Sequence, residues 1–480
     1  MGTAIIWFRR DLRLHDNPAL QAALDAGHVP VPVYVHAPGE QGAWRPGAAS
    51  DAWLHRSLAA LDADLRRRGS ALVFLHGPSL AALSTLAGEV GAEAVFWNRC
   101  HEPAAIARDT AIKQALRGQG LEVRSFNAGL LLEPWSIANG QGGPYRVFTP
   151  YWRAAQARLE LPAATEPPAR FPALPQLPAG PALAALGLRP HPAWDAGFWL
   201  VWAPGEAGAA EALDIFVDGA LQGYGVQRDR PDRSGTSRLS AYLHFGEIAP
   251  WRIVRRLQAV RRAGNAADID GYVRELGWRE FAHHLLYHFP HTPEHNLDAR
   301  FDRFAWADPD PEVLQAWQRG RTGVPIVDAG MRELWATGFM HNRVRMIVAS
   351  YLCKHLRLHW LHGARWFWDT LVDADLASNT AGWQWVAGTG ADAAPYFRVF
   401  NPVTQALKFD PEAVYVGRWV PELARLPAKM RHAPWRFPHE AAAWAPDYPA
   451  RPLVDLAQGR EAALAAYARL RGARPGTVSD

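Results

Sequence analysis

The chain has 480 residues, 49% of them apolar, which is too long for one compact core and enough to fill two or more. No apolar run approaches the roughly 18 residues of a membrane span. The opening MGTAIIWFRRDLRLHDN is too short in its apolar part for a signal peptide. Cys100 and Cys353 alone exclude a disulfide framework, so a cytoplasmic location is expected. The net charge of +4 excludes a polycation, although clustered arginines permit a local nucleic-acid face.

Residues 3–126 alternate β-branched or aromatic runs, TAIIWF, VPVYVH, ALVFLHG, AEAVFWN and EVRSFN, with helical patterns such as WLHRSLAALDADLRRRG. Five strands with intervening helices predict a doubly wound parallel sheet, an α/β domain over 1–130 with ligand positions at the carboxyl ends of its strands. A connector spans 131–204. Its Pro/Ala-rich part, LPAATEPPARFPALPQLPAGPALAALGLRPHPAW, reads as ordered or semi-rigid. From 205 to 475 helices joined by Gly/Pro breaks predict an all-α domain.

Within that stretch, GTSRLS at 235–240 gathers hydroxyls and an arginine at the expected start of a helix, where free N–H groups suit a phosphate. A Ser/Thr cap without a ligand is the alternative. GYGVQRDRPDR upstream adds Tyr224 and Arg228, so the region can hold a diphosphate and its organic ends. In GYVRELGWREFAHHLLYHFP, Trp278, Phe281, Ala282, Leu285, Leu286 and Phe289 have the spacing of one buried helix face. Glu275 and Arg279 share an adjacent face where a polar ligand can be met. His284 and His288 lack both the glutamate of a His-Glu-x-x-His site and a third ligand, so no metal is predicted. MHNRVRMIVASYLCKHLRLHW carries Asn342, Arg345 and Met346 near its start.

DADLASNTAGWQWVAGTGADAAPYFRVFNP, 373–402, concentrates acids, amides, indoles and glycines in a way that an ordinary core helix does not need. Asp375, Asn379 and Trp383 recur every four residues and align along one face if the backbone is helical there, with Trp385 nearly opposite. Asp373 and Asp375 need donors if buried, and Arg345 is a candidate. Capping acids and core indoles are the alternative. GTGADA has Gly-x-Gly-x-x-Ala spacing but follows a helix, which excludes the dinucleotide fingerprint.

WFRRDLRLHDNPAL, GTSRLSAYLHFGEI, WREF, GVPIVDAGMREL, MHNRVRMIVASYL and the 373–402 segment closely resemble the photolyase/cryptochrome family of blue-light flavoproteins over residues 3 to 470. The resemblance implies an α/β antenna domain, a connector and an all-α domain holding U-shaped FAD, with the reduced anion as the working form. Tyr224 and Thr236, Ser237, Arg238, Leu239 and Ser240 would hold the phosphates and their surroundings. Asp373 and Asp375 would contact the ribityl and isoalloxazine parts, with Arg345 paired to Asp373, and Asn379 would face flavin N5. An amide there is no ready proton donor, and with no long tail after EAALAAYARLRGARPG this favours a repair enzyme over a photoreceptor.

The same resemblance places Glu275, Trp278, Asn342, Met346 and Trp385 around a flipped cyclobutane pyrimidine dimer. Arg228, Arg343 and Gln405 would grip the flanking backbone, and Trp383, Trp360 and Trp306 would carry electrons from the surface to the flavin. The implied activity is that of a light-driven carbon–carbon lyase, a bacterial monomer acting on damaged DNA, of the branch nearest plant cryptochromes. A photoreceptor and a (6-4) photoproduct photolyase are the alternatives. Met346 with Trp278 speaks against the latter. For the antenna, HFPHTPEHN replaces the Cys-Lys pair of folate-binding bacterial relatives. ASDAWLHRSLAAL and GGPYRVFTPYWRA instead resemble the branch that holds methenyltetrahydrofolate elsewhere on the N-terminal domain. A deazaflavin or an empty site stays open.

Overall fold

In the computed structural model, which describes residues 2–172, 174–393 and 397–472, the five apolar runs form β1 (Thr3–Phe8), β2 (Val29–His36), β3 (Val73–His76), β4 (Ala92–Asn98) and β5 (Glu122–Phe126). All pairs are parallel, in the order β3-β2-β1-β4-β5. Helices α1 (Pro18–Asp25), α2 (Ala48–Arg67), α3 (Ser79–Val90) and α4 (Pro103–Gly118) make the crossovers. Every residue of β1 is buried, because a parallel sheet covered by helices hides both faces of its central strand. Ile5, Trp7, Val33, Val95 and Trp97 belong to one core layer. At the carboxyl ends of β1 and β4, Asp11 accepts from the Arg9 N–H at 2.7 Å and from Asn98 Nδ2 at 2.6 Å, while Arg9 pairs with Asp109 at 2.5 Å. Both oxygens of the buried Asp11 carboxylate are thus satisfied.

The Pro/Ala-rich connector is pinned by backbone bonds. Asp16 donates to the Thr165 carbonyl at 2.9 Å and Phe171 to that of Arg68 at 2.8 Å. At Gly180 a Cβ would lie 2.1 Å from the Phe74 carbonyl oxygen, so only glycine lets the connector come this close to β3.

The chain condenses into two units that are not continuous in sequence. The first comprises Met1–Gln222, Ser237–Pro290 and Val372–Leu376, and the second Gly223–Thr236, His291–Leu371 and Ala377–Asp480. Residues 237–290 carry α6 (Ser240–Phe245) and α7 (Ala266–His288), and they join the α/β part because α7 packs on α5 (Phe148–Gln156). The Trp278 ring stacks on Phe148 with centroids 3.7 Å apart. A Cβ on Gly277 would lie 2.5 Å from the Trp152 ring. Phe281, Ala282, Leu285 and Leu286 are buried, whereas Trp278 and Phe289, at the two ends of the expected apolar face, are half-buried.

The second unit is helical. It contains α8 (Pro325–Thr337), α9 (Asn342–Ser350), α10 (Trp360–Thr370), nearly all of α11 (Leu376–Ala387), α12 (Pro402–Phe409) and α13 (Leu456–Gly472). The α/β and all-α fold read from the sequence is therefore present. Residues 394–396 of the 373–402 segment, and 473–475 at the end of the all-α stretch, lie outside the described residues. No helix of the described residues is long and apolar enough to cross a membrane.

Candidate functional site

The helix expected at GTSRLS begins only at Ser240, and its N-cap is Leu239, which supplies no side-chain cap. The preceding residues form a loop in which Arg238 has φ +54°. That left-handed conformation is costly for a residue with a Cβ, and such strain concentrates at binding sites. Ser237 Oγ accepts from the Leu239 N–H at 3.3 Å and lies 2.8 Å from the Tyr272 hydroxyl. The hydroxyl thus braces the loop against α7. Tyr224 is buried, with the Arg228 guanidinium 5.4 Å from its ring centre.

α11 starts at Leu376, so Asp375 sits before the helix and does not share a helical face with Asn379 and Trp383. The expected every-fourth alignment holds for Asn379 and Trp383 alone. α11 ends at Gly388, φ +89°, whose N–H bonds to the Gln384 carbonyl at 2.9 Å. The first glycine of GTGADA therefore terminates a helix. Gln384 fixes the rotation of α11, since Nε2 donates to the Thr292 and His295 carbonyls and Oε1 accepts from Leu297. Lys354, absent from the sequence reading, donates to the last carbonyl of α11, Ala387, at 2.6 Å. Burial brings its pKa down to about 7.

Asp373 is buried. Asp375 Oδ2 lies 3.6 Å from His244 Nδ1 and 3.6 Å from His283 Nε2. Burial pushes the Asp375 carboxyl up, but His283 and His244 hold it well below the usual carboxylate range. Neither histidine was singled out in the sequence, since the apolar spacing of α7 points to its core face only. The Arg279 guanidinium donates from Nη1 to the Gly129 carbonyl at 2.7 Å and pairs with Glu280, contacts that the helical spacing did not indicate.

In the second unit the Asn379 amide donates to the Ala364 carbonyl at 3.0 Å, which ties α11 to α10. Arg345 Nε donates to the Met340 carbonyl at 2.7 Å. Arg343 pairs with Asp229 at 2.8 Å and covers the Phe409 ring. Asn342 is exposed, while Arg228, Met346, Trp385 and Gln405 are half-buried. In the first unit Glu275 and Trp278, three apart on α7, are half-buried too.

The three expected relay indoles lie in one unit, and they pass from core to surface. Trp383 and Trp360 are buried and Trp306 is half-buried. Trp360 Nε1 donates to Asn296 at 2.9 Å. The His359 ring lies 5.1 Å from Trp306 and 5.5 Å from Trp360. Trp383 meets Phe367 at 5.0 Å and Trp317 at 6.3 Å. Trp335, 48% exposed, stacks on Trp366 at 6.1 Å, a second aromatic pair that the sequence did not single out.

A Cβ at Gly363 would lie 2.0 Å from the Trp383 ring. Gly363→Val is expected to displace that indole and to destabilise the chain by about 1–3 kcal/mol, as overpacking of a dense core does. Urea titration followed by tryptophan emission checks it, and an unaltered midpoint would show that the ring has room to move.

The His284–His288 pair is structural at His284, where Nδ1 bonds the Pro134 carbonyl at 2.9 Å and Nε2 accepts from the Tyr145 N–H at 3.0 Å. In the first unit the hydroxyls of Ser237 and Ser240, the Arg238 guanidinium and the carboxylates of Asp373 and Asp375 are group types that suit the diphosphate and the N–H and O–H groups of FAD, and in the second unit Asn379 is an amide without an acidic proton.

Residues 4–174 match the DNA photolyase family, and residues 272–469 match the FAD binding domain of DNA photolyase. The chain is 48% identical to the deoxyribodipyrimidine photo-lyase of Agrobacterium fabrum, over 97% of this chain and 98% of that one. It is 39% identical to cryptochrome-1 of Arabidopsis thaliana, over 91% and 65% respectively. The crystal structure of a bacterial class III photolyase from Agrobacterium tumefaciens superposes with a TM-score of 0.94 at 47% identity, covering 98% of each chain. Photolyase-type, light-dependent DNA repair through FAD is the activity that goes with these matches. The chain belongs to the photolyase/cryptochrome family, as a class III-like flavoprotein.

Proposed function

We propose that this protein repairs cyclobutane pyrimidine dimers in DNA, acting as a monomer with FAD held as the reduced anion. The observation that carries the reading is the exposure of Glu275 and Trp278. They stand three apart on α7, half-buried, on a helix whose neighbouring residues Leu276, Gly277, Glu280 and Phe281 are all buried. A carboxyl group beside an indole face suits a pyrimidine ring, which needs both a hydrogen-bond partner and an apolar wall.

When bound, FAD supplies the light-promoted electron that splits the cyclobutane ring and is afterwards returned. The chain supplies position and electrostatics. Tyr224 and Thr236 through Ser240 hold the phosphates, Asp373 and Asp375 hold the ribityl and ring edges, and Arg345 compensates Asp373. Asn379 faces flavin N5 with an amide that is no ready proton donor. On α7 Trp278 offers the everted dimer an apolar wall and Glu275 bonds one pyrimidine edge; in the second unit Asn342, Met346 and Trp385 serve the lesion, and Arg228, Arg343 and Gln405 hold the flanking strand by its backbone. Trp306, Trp360 and Trp383 re-reduce an oxidised flavin. For a second chromophore on the α/β part methenyltetrahydrofolate is favoured over a deazaflavin, and an absorption spectrum of the purified protein distinguishes these from an empty site.

Blue light given to the reduced protein with an oligonucleotide containing one cyclobutane dimer should restore two intact pyrimidines. The similarity to Arabidopsis cryptochrome-1 favours a second reading, a photoreceptor. Retained flavin with no repair of any lesion would select it. Repair of a (6-4) photoproduct in place of the dimer would reassign the pocket.

A further inference from the structure

The contact between His283 and Asp375 has a proton inventory fixed by its neighbours. His283 Nδ1 lies 3.0 Å from the Arg279 carbonyl oxygen, which can only accept, so Nδ1 carries a proton. A neutral imidazole has one N–H. Nε2, 3.6 Å from Asp375 Oδ2, therefore presents a lone pair to a carboxylate. A second proton would turn this contact into an ion pair, so the site is built to accept one.

We propose that His283 takes up a proton at Nε2 when reduction places negative charge on a flavin held beside Asp375, so that the protein, and not only the cofactor, binds a proton during reduction. The inference rests on the assignment of Asp375 to the flavin made above. Electrons come from an external reductant such as dithionite or an electrode, and the proton comes from solvent. No bond of the chain is made or broken except N–H.

The surroundings support a group that titrates on demand. His283 faces Asp375 from the segment before α11, Arg279 from its own helix and His101 from the loop after β4. Asp375 also faces His244 from α6 and Arg279. His244 in turn faces Arg10, Asp375 and Asp373, and His101 lies 2.9 Å from Glu133. With no added charge, burial brings His283 down to about 4. An opposite charge within about 4–6 Å raises such a group by roughly one to three pH units, and by less from farther away. It then binds a proton in mildly acidic buffer.

The test counts protons. At about pH 6, within the window that this shift opens, the holoprotein reduced in weak buffer with a pH-indicating dye should take up more protons per flavin than His283→Asn, by a fraction of one proton. The slope of the flavin potential against pH should be steeper in the same proportion. Equal counts and slopes in both proteins would overturn the proposal. Should the variant fail to bind FAD, infrared difference spectra of the native protein decide: an imidazole-to-imidazolium change on reduction is expected, and its absence overturns the proposal. Asp375→Asn separates the two layers. Unchanged flavin binding and spectrum in that variant would remove the assignment of Asp375 to the cofactor, whereas a perturbed Asp375→Asn beside an inert His283→Asn would remove only the proton uptake.

Discussion

Replacing Trp383 by Phe is expected to stop light-driven reduction of oxidised FAD while sparing dimer repair by chemically reduced protein. Phenylalanine keeps an aromatic ring against Phe367 but gives up the outer indole atoms that approach Gly363, so the packing loss is that of a smaller ring. What it removes is the indole, whose low cost of losing an electron makes it the first stepping stone next to the flavin in this reading. Trp360 is fully buried and held by Asn296, and Trp306 reaches the surface beside His359. Only Trp306 of the three is open to an external donor, so the two buried steps have no solvent substitute. Photoreduction under an external donor, read from the flavin absorption bands, checks the expectation. An unchanged rate would move the first step elsewhere, and Trp317, 6.3 Å from Trp383, is the neighbour whose substitution should then be tried.

Glu275→Ala should lower repair while leaving FAD in place. The residue is half-buried on α7, and Tyr272, one turn earlier, is bonded to Ser237 and remains so in the variant. The flavin-side loop therefore keeps its brace. A hydrogen bond to a charged group contributes about 1.5–3 kcal/mol, so affinity for dimer-containing DNA should fall roughly ten- to hundredfold. Affinity for undamaged DNA should stay the same, since backbone contacts carry it. Binding titrations with both DNAs and the flavin-to-protein absorbance ratio check this. Loss of flavin would remove Glu275 from the lesion side of the pocket.

Much of this molecule is legible along the chain. The five strands fall on the five apolar runs because parallel strands buried on both faces are continuous β-branched and aromatic stretches. The core of α7 follows its 3.6-residue spacing from Phe281 to Leu286. The segments around Asn342, Asp373 and Asn379 announce themselves by composition, since nothing in a helical core calls for acids, amides and glycines so close together.

Periodicity stops being informative where one element meets another. It aligned Asp375 with Asn379 and Trp383, yet α11 begins one residue later and leaves Asp375 to His244 and His283, more than ninety residues upstream. It paired Arg279 with Glu275 but did not show that the guanidinium donates to the Gly129 carbonyl, 150 residues away. Lys354 at the end of α11 and Trp317 against Trp383 were equally invisible. By itself the sequence determined which segments become strands and helices, and the family to which they belong. Only the tertiary structure decided the protonation of the buried polar groups and their partners, because desolvation and the direction of a hydrogen bond depend on atoms that packing brings together from distant parts of the chain.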